Sequence, residues 1–101
     1  MPDSDGYPFE DELAYIKSFD VVKNHWEDLM EYVQDIWHWG SDYFYKDGEF
    51  WYAHTGGWSG NEDIIYSLKH NTTFWMLCWQ ESKKGGHYKF RHVVKESNRE
   101  N

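Results

Sequence analysis

The hydrophobic period changes at Gly40, and no other feature limits the possible folds as strongly. Before it, Val22, Trp26, Leu29, Met30, Val33, Ile36 and Trp37 recur at the 3.6-residue interval of one helix face. Glu27, Asp28, Glu31 and Asp35 fall on the opposite face. After it, short aromatic runs are separated by glycine-bearing turns, which is the pattern of strands. Helical pattern followed by sheet pattern in 101 residues points to a single α+β domain over 1–101.

The first half holds two helices. Phe9, Leu13, Ile16 and Phe19 form a short stripe, and Asp20 is placed to N-cap the long helix that Gly40 ends. Residues 1–8, with Pro2, Gly6 and Pro8, read as a loose arm. In the second half, 42–45 and 49–55 flank Lys46-Asp47-Gly48, a hairpin signal. Ser59 and Glu62 have capping-box spacing, so a short helix is expected to about Lys69, with Ile64, Ile65 and Leu68 inward and Asn71 as its stop. Residues 72–80 are nearly all apolar and read as a central strand buried on both faces. A turn at 83–86 leads to a last strand over 87–94, and the tail from Lys95 reads as frayed. The order α-α-β-β-α-β-β predicts a four-stranded, mainly antiparallel sheet with the long helix on one face.

Twenty-one residues are Phe, Tyr or Trp, so the core must be largely aromatic, and the surplus is available as surface for a partner. Cys78 is the single cysteine and lies in an apolar run, which excludes an intrachain disulfide and favours a buried, inert thiol. No cationic and apolar leader opens the chain and no stretch has transmembrane length, so a soluble intracellular protein is expected, with no membrane partner.

The formal charge of −8 is confined to residues 1–40, where ten acids face only Lys17 and Lys23. Acidity of this kind disfavours direct contact with a nucleic-acid backbone. It suits a basic protein partner, with Glu27, Asp28, Glu31 and Asp35 as the contact surface, or it simply solvates the helix.

Residues 55–63, Thr-Gly-Gly-Trp-Ser-Gly-Asn-Glu-Asp, concentrate three glycines around Trp58 ahead of a helix start. Gly56, Gly57, Trp58, Ser59 and Asn61 are therefore binding candidates: backbone can approach a ligand there, helix N–H groups favour an anion, and the indole can stack. A Walker phosphate loop is excluded because no Gly-Lys-Ser/Thr is present, and Glu62 opposes an anion at the same helix end. The alternative is a tight strand-to-helix corner with Trp58 folded onto the core. His87, Lys89 and Arg91 share one face of the last strand, and cations beside aromatic strands suit nucleotide binding. His54 and His87 flank glycine turns and can meet in the sheet, but no helical His pair or Cys/His set of zinc spacing occurs, so neither metal nor cofactor is expected. Ser59 is not in Gly-x-Ser-x-Gly, and no catalytic motif is complete.

Residues 54–65 with the Thr-Gly-Gly-Trp-Ser-Gly-Asn-Glu core, then Phe74-Trp75, Cys78-Trp79 and Gly85-Gly-His-Tyr88, resemble a group of small uncharacterised proteins encoded by phages and prophages. The resemblance covers roughly residues 50–92 and leaves out the acidic first half. It implies a phage accessory protein in the bacterial host cytoplasm and carries no chemistry. A non-enzymatic protein that binds a host protein, such as a defence factor, is the leading expectation. A binder of a nucleotide or signalling molecule, using Trp58, the glycine loop and Arg91, is the second. An enzyme pairing His54 or His87 with Glu62 is the third.

Overall fold

The computed structural model describes residues 7–92. The expected tail from Lys95, residues 93 and 94 of the last strand, and all of the expected loose arm except Tyr7 and Pro8 lie outside those residues. Among the described residues four helices and four strands give an α+β fold: α1 (Glu10–Ser18), α2 (Trp26–Ile36), a 3-10 turn (Gly40–Asp42), β1 (Phe44–Asp47), β2 (Phe50–His54), α3 (Ser59–His70), α4 (Thr72–Cys78), β3 (Trp79–Lys83) and β4 (His87–Phe90). The sheet is antiparallel throughout, in the order β1-β2-β4-β3.

The pleat sorts each strand's side chains between two faces. Phe44, Trp51, Ala53 and Phe90 face a core built with Ile16 of α1, Leu29, Met30, Val33 and Ile36 of α2, Ile64, Ile65 and Leu68 of α3, and Phe74 and Cys78 of α4. All four helices thus contribute to the layer on one side of the sheet. Aromatic contacts dominate where layer meets sheet, as with Trp37 on Phe44 (5.1 Å) and Phe74 on Phe90 (5.4 Å).

Several boundaries differ from the sequence reading. Asp20 caps a turn, accepting from the backbone N–H groups of Val22 and Lys23, and α2 starts only at Trp26. Val22 is consequently exposed while Val21 is buried. Trp58, not Ser59, is the N-cap of α3, so no Ser59–Glu62 capping box forms. Residue 7 is not loose: the Tyr7 ring packs 4.9 Å from that of Trp58 and its hydroxyl bonds Ser59 Oγ at 2.8 Å.

The largest correction concerns 72–80, which is not a central strand. Asn71 ends α3 and its side-chain oxygen accepts the N–H of Phe74, starting α4 immediately. Phe74 and Cys78, four residues apart, turn inward, and Met76 and Leu77 turn to solvent. The following strand, β3, is a polar edge with a register shift between Trp79 and Glu81.

Candidate functional site

The glycine-rich segment 55–61 folds against the turn at Gly85-Gly86. Thr55 donates its backbone N–H to the Gly86 carbonyl (2.9 Å), and Gly86, at φ +81°, lies so close to the Thr55 hydroxyl that no Cβ fits between them. Gly56, at φ +63°, forms the floor for the rings of Trp39 and Tyr43, since a Cβ there would meet Trp39 at 2.5 Å. Gly57, at φ +75°, is exposed and donates its N–H to Thr55 Oγ1. Asn61 is fully buried. Its oxygen accepts the His38 N–H at 2.8 Å, and its amide donates to the carbonyls of His38 and Thr55. Asn61 therefore ties the loop after α2 to the loop after β2, a structural task that leaves it unable to meet a ligand.

Trp58 is half-buried and outside the main core. Its ring stacks on His38 (4.7 Å, 24°) and lies beside Tyr7, and Gly60 leaves room for it to fold back over its own helix. Tyr7, Trp58 and Ser59 thus cover the start of α3, the end at which helix N–H groups favour an anion and Glu62 opposes one. Beside them Trp39 holds φ +75°, a strained setting for a tryptophan, with its ring almost half exposed.

This corner presents the end of β2 and the start of β4 side by side. His54 and His87 are direct cross-strand partners, and their Nδ1 atoms are 2.7 Å apart, as the sequence allowed. At that distance one nitrogen carries a proton and the other accepts it. His54 Nε2 lies 3.0 Å from the Tyr45 hydroxyl, so Tyr45, His54 and His87 form one hydrogen-bonded chain. Burial first, and the neighbouring His87 second, hold the His54 pKa below its usual value. Glu62 lines neither hollow beside the pair.

The pair opens onto the sheet face that, among the described residues, the helices leave uncovered. A hollow of about 500 Å³ there is lined, among the described residues, by those of the strands, including Tyr45, Tyr52, His54, Glu81, Lys83, His87 and Lys89. The Tyr45 and Tyr52 rings stack at 5.6 Å and 25°. Lys89 Nζ sits 4.2 Å from the Phe50 ring centre and 4.0 Å from Glu81, and Lys83 lies 3.5 Å from the same carboxylate. A smaller hollow of about 320 Å³ adjoins His54 and His87 between Asp42 and Tyr43.

Comparison with protein-family models, curated proteins and solved structures finds no match. The candidate residues must therefore be judged by placement. His87 lies in the hollow, whereas Gly56, Gly57 and Asn61 build the corner behind it. Arg91 is committed elsewhere: it pairs with Glu49 at 2.9 Å and lies over Phe50, beside the β1–β2 hairpin. The hairpin and the glycine corner lie at opposite ends of β2, so Trp58, the loop and Arg91 do not form the single site expected of them.

The acidic set also divides. Glu27 accepts from Trp51 Nε1 (2.8 Å) and pairs with Lys46 (2.7 Å), which joins α2 to the β1–β2 hairpin and holds its carboxyl below the usual range. Asp28, Glu31 and Asp35 are exposed, and none of the three forms an ion pair with a described residue. Cys78 is fully buried and burial pushes its thiol up to about 12, so it is no nucleophile. Among the described residues no group of three or more His, Cys, Asp or Glu is arranged to hold a metal ion, and no helix is long and apolar enough to cross a membrane.

Sequence reasoning missed Tyr45, Tyr52, Glu81 and Lys83. Tyr52 and His54, two apart on β2, share a face, but only the register Tyr45↔Tyr52↔Lys89↔Glu81 assembles the four strands into one surface. Lys83 was assigned to the turn that follows its strand.

Proposed function

We propose that this protein is a non-catalytic binding module whose working surface is the uncovered sheet face, and that it takes a ligand combining a planar ring with negative charge, of the nucleotide or signalling-molecule class. The observation that carries this reading is the hollow in the sheet face, where stacked Tyr45 and Tyr52 rings stand beside Lys83 and Lys89. Its volume lies within the range of small-ligand sites. Aromatic faces with nearby cations recognise bases with little demand for a particular sequence. A panel of nucleotides at a hundredfold excess over the dissociation constant should stabilise the fold by about 2.7 kcal/mol. The same panel should leave Tyr52→Ser unshifted, and a complete absence of shifts with the unaltered protein refutes the reading.

A second reading rests on a different observation. Asp28, Glu31 and Asp35 form an exposed acidic face on α2 without compensating ion pairs among the described residues. That face suits a basic surface of a host protein, such as a nucleic-acid-binding defence factor. With the resemblance to phage proteins, it supports an accessory role in the host cytoplasm. Replacing all three by Asn or Gln should weaken capture of a basic host protein and steepen no other property of the fold; unchanged capture removes this reading.

A further inference from the structure

The strand register places two rows of side chains across the uncovered face. Lys83, His87 and His54 are successive cross-strand partners on β3, β4 and β2 and make one row. Glu81, Lys89, Tyr52 and Tyr45 make the next. Two residues along a strand separate the rows by roughly 7 Å. That is about the reach from the phosphate of a nucleoside 5′-monophosphate to its base. The first row supplies nitrogen donors and the second ends in two stacked rings.

Resting on the ligand reading above, we propose that the row Lys83–His87–His54 seats a phosphomonoester and that binding takes up a proton on the imidazole pair. In the free protein the two rings share one proton through their 2.7 Å contact, and the second nitrogen of His54 is engaged by Tyr45. A phosphate dianion needs donors, not this closed loop. Protonation of the acceptor Nδ1 from solvent breaks the contact between the rings, because two N–H groups cannot face each other. His87 is exposed, and both imidazoles then donate to phosphate oxygens beside the Lys83 ammonium. The remaining titratable and charged groups lining the two hollows beside the pair are Asp42, Tyr43, Tyr45, Tyr52, Glu81, Tyr88 and Lys89. Glu81 is countered by Lys83 and Lys89.

Calorimetric titration of the full chain with adenosine and guanosine 5′-monophosphates, their nucleosides and inorganic phosphate tests this. Runs at pH 6 and pH 8, in buffers of different ionisation enthalpy, report proton uptake directly. The monophosphates are expected to bind tighter at pH 6, by about tenfold for each proton taken up per pH unit. They are also expected to outcompete the nucleosides, and His87→Gln should remove the pH dependence of monophosphate binding. Equal affinity of nucleotide and nucleoside at both pH values, still lost in Tyr52→Ser, overturns the phosphate seat but keeps the sheet-face reading. Absence of binding by every probe overturns both.

Discussion

Gly86 is where one added methyl group should do the most damage. Its φ of +81° is costly for any residue with a side chain, and the Thr55 hydroxyl occupies the space a Cβ needs. Left-handed strain and overpacking act together, so Gly86→Ala is expected to cost about 2–3 kcal/mol in urea denaturation. Gly85→Ala should cost less, because its Cβ meets only the His87 ring, at 3.3 Å. The comparison separates backbone strain, common to both, from the clash that only Gly86 suffers. Asn61 plays the matching role from the other side of the corner through three hydrogen bonds made while fully buried. Side chains of this kind are indistinguishable from ligand-binding groups in a sequence. A buried amide that satisfies backbone groups and an exposed amide that meets a ligand are spelled with the same residue.

Among the elements, α4 departs most from expectation, and Asn71 explains it. A continuous apolar run has no decisive period over seven positions, so a buried strand and a short helix are equally compatible with it. Asn71 decides between them, and it signals both the end of one helix and the start of another. Its amide also donates to the carbonyls of Ile16 and Phe19 (2.9 and 2.8 Å), which secures the end of α1. Asn71→Ala therefore removes an N-cap and leaves two carbonyls short of a donor. A loss of about 2–4 kcal/mol is expected, read as a lower urea midpoint with an unchanged slope. A loss below about 1 kcal/mol would mean that α4 is held by Phe74 and Cys78 alone. The long helix was legible because seven apolar positions repeat over sixteen residues. Its start was not, since Asp20 is a good cap in any turn and Val21 and Val22 are interchangeable by composition.

Across the whole molecule, two groups tie stability to pH with the same sign. His54 has a lowered folded pKa, mainly from burial, so the unfolded chain takes up a proton more readily below its ordinary value of 6.5. Stability should fall as pH drops below that value and level off once folded His54 is itself protonated. Glu27 has a folded pKa lowered chiefly by the hydrogen bond from Lys46. Its contribution is present above the ordinary value of 4.5 and is lost as pH falls through the folded pKa. The melting temperature should thus decline in two steps on acidification, with His54→Gln flattening the first and Glu27→Gln the second. A single step unaffected by either change would place the titration elsewhere. The sequence by itself determined the fold class, the faces of α2 and the hairpin at Gly48, because each follows from local period and turn chemistry. It also allowed His54 and His87 to meet. The core is less aromatic than composition suggested: among the described residues, six of its seventeen buried members are Phe or Trp. Only the tertiary structure decided that Asn61 and three glycines serve the corner, that Arg91 lies at the far end, and that Tyr45, Tyr52 and Lys83 join His87 on one open face. Strand order and register set those neighbours, and they arise from packing between distant segments that no local pattern encodes.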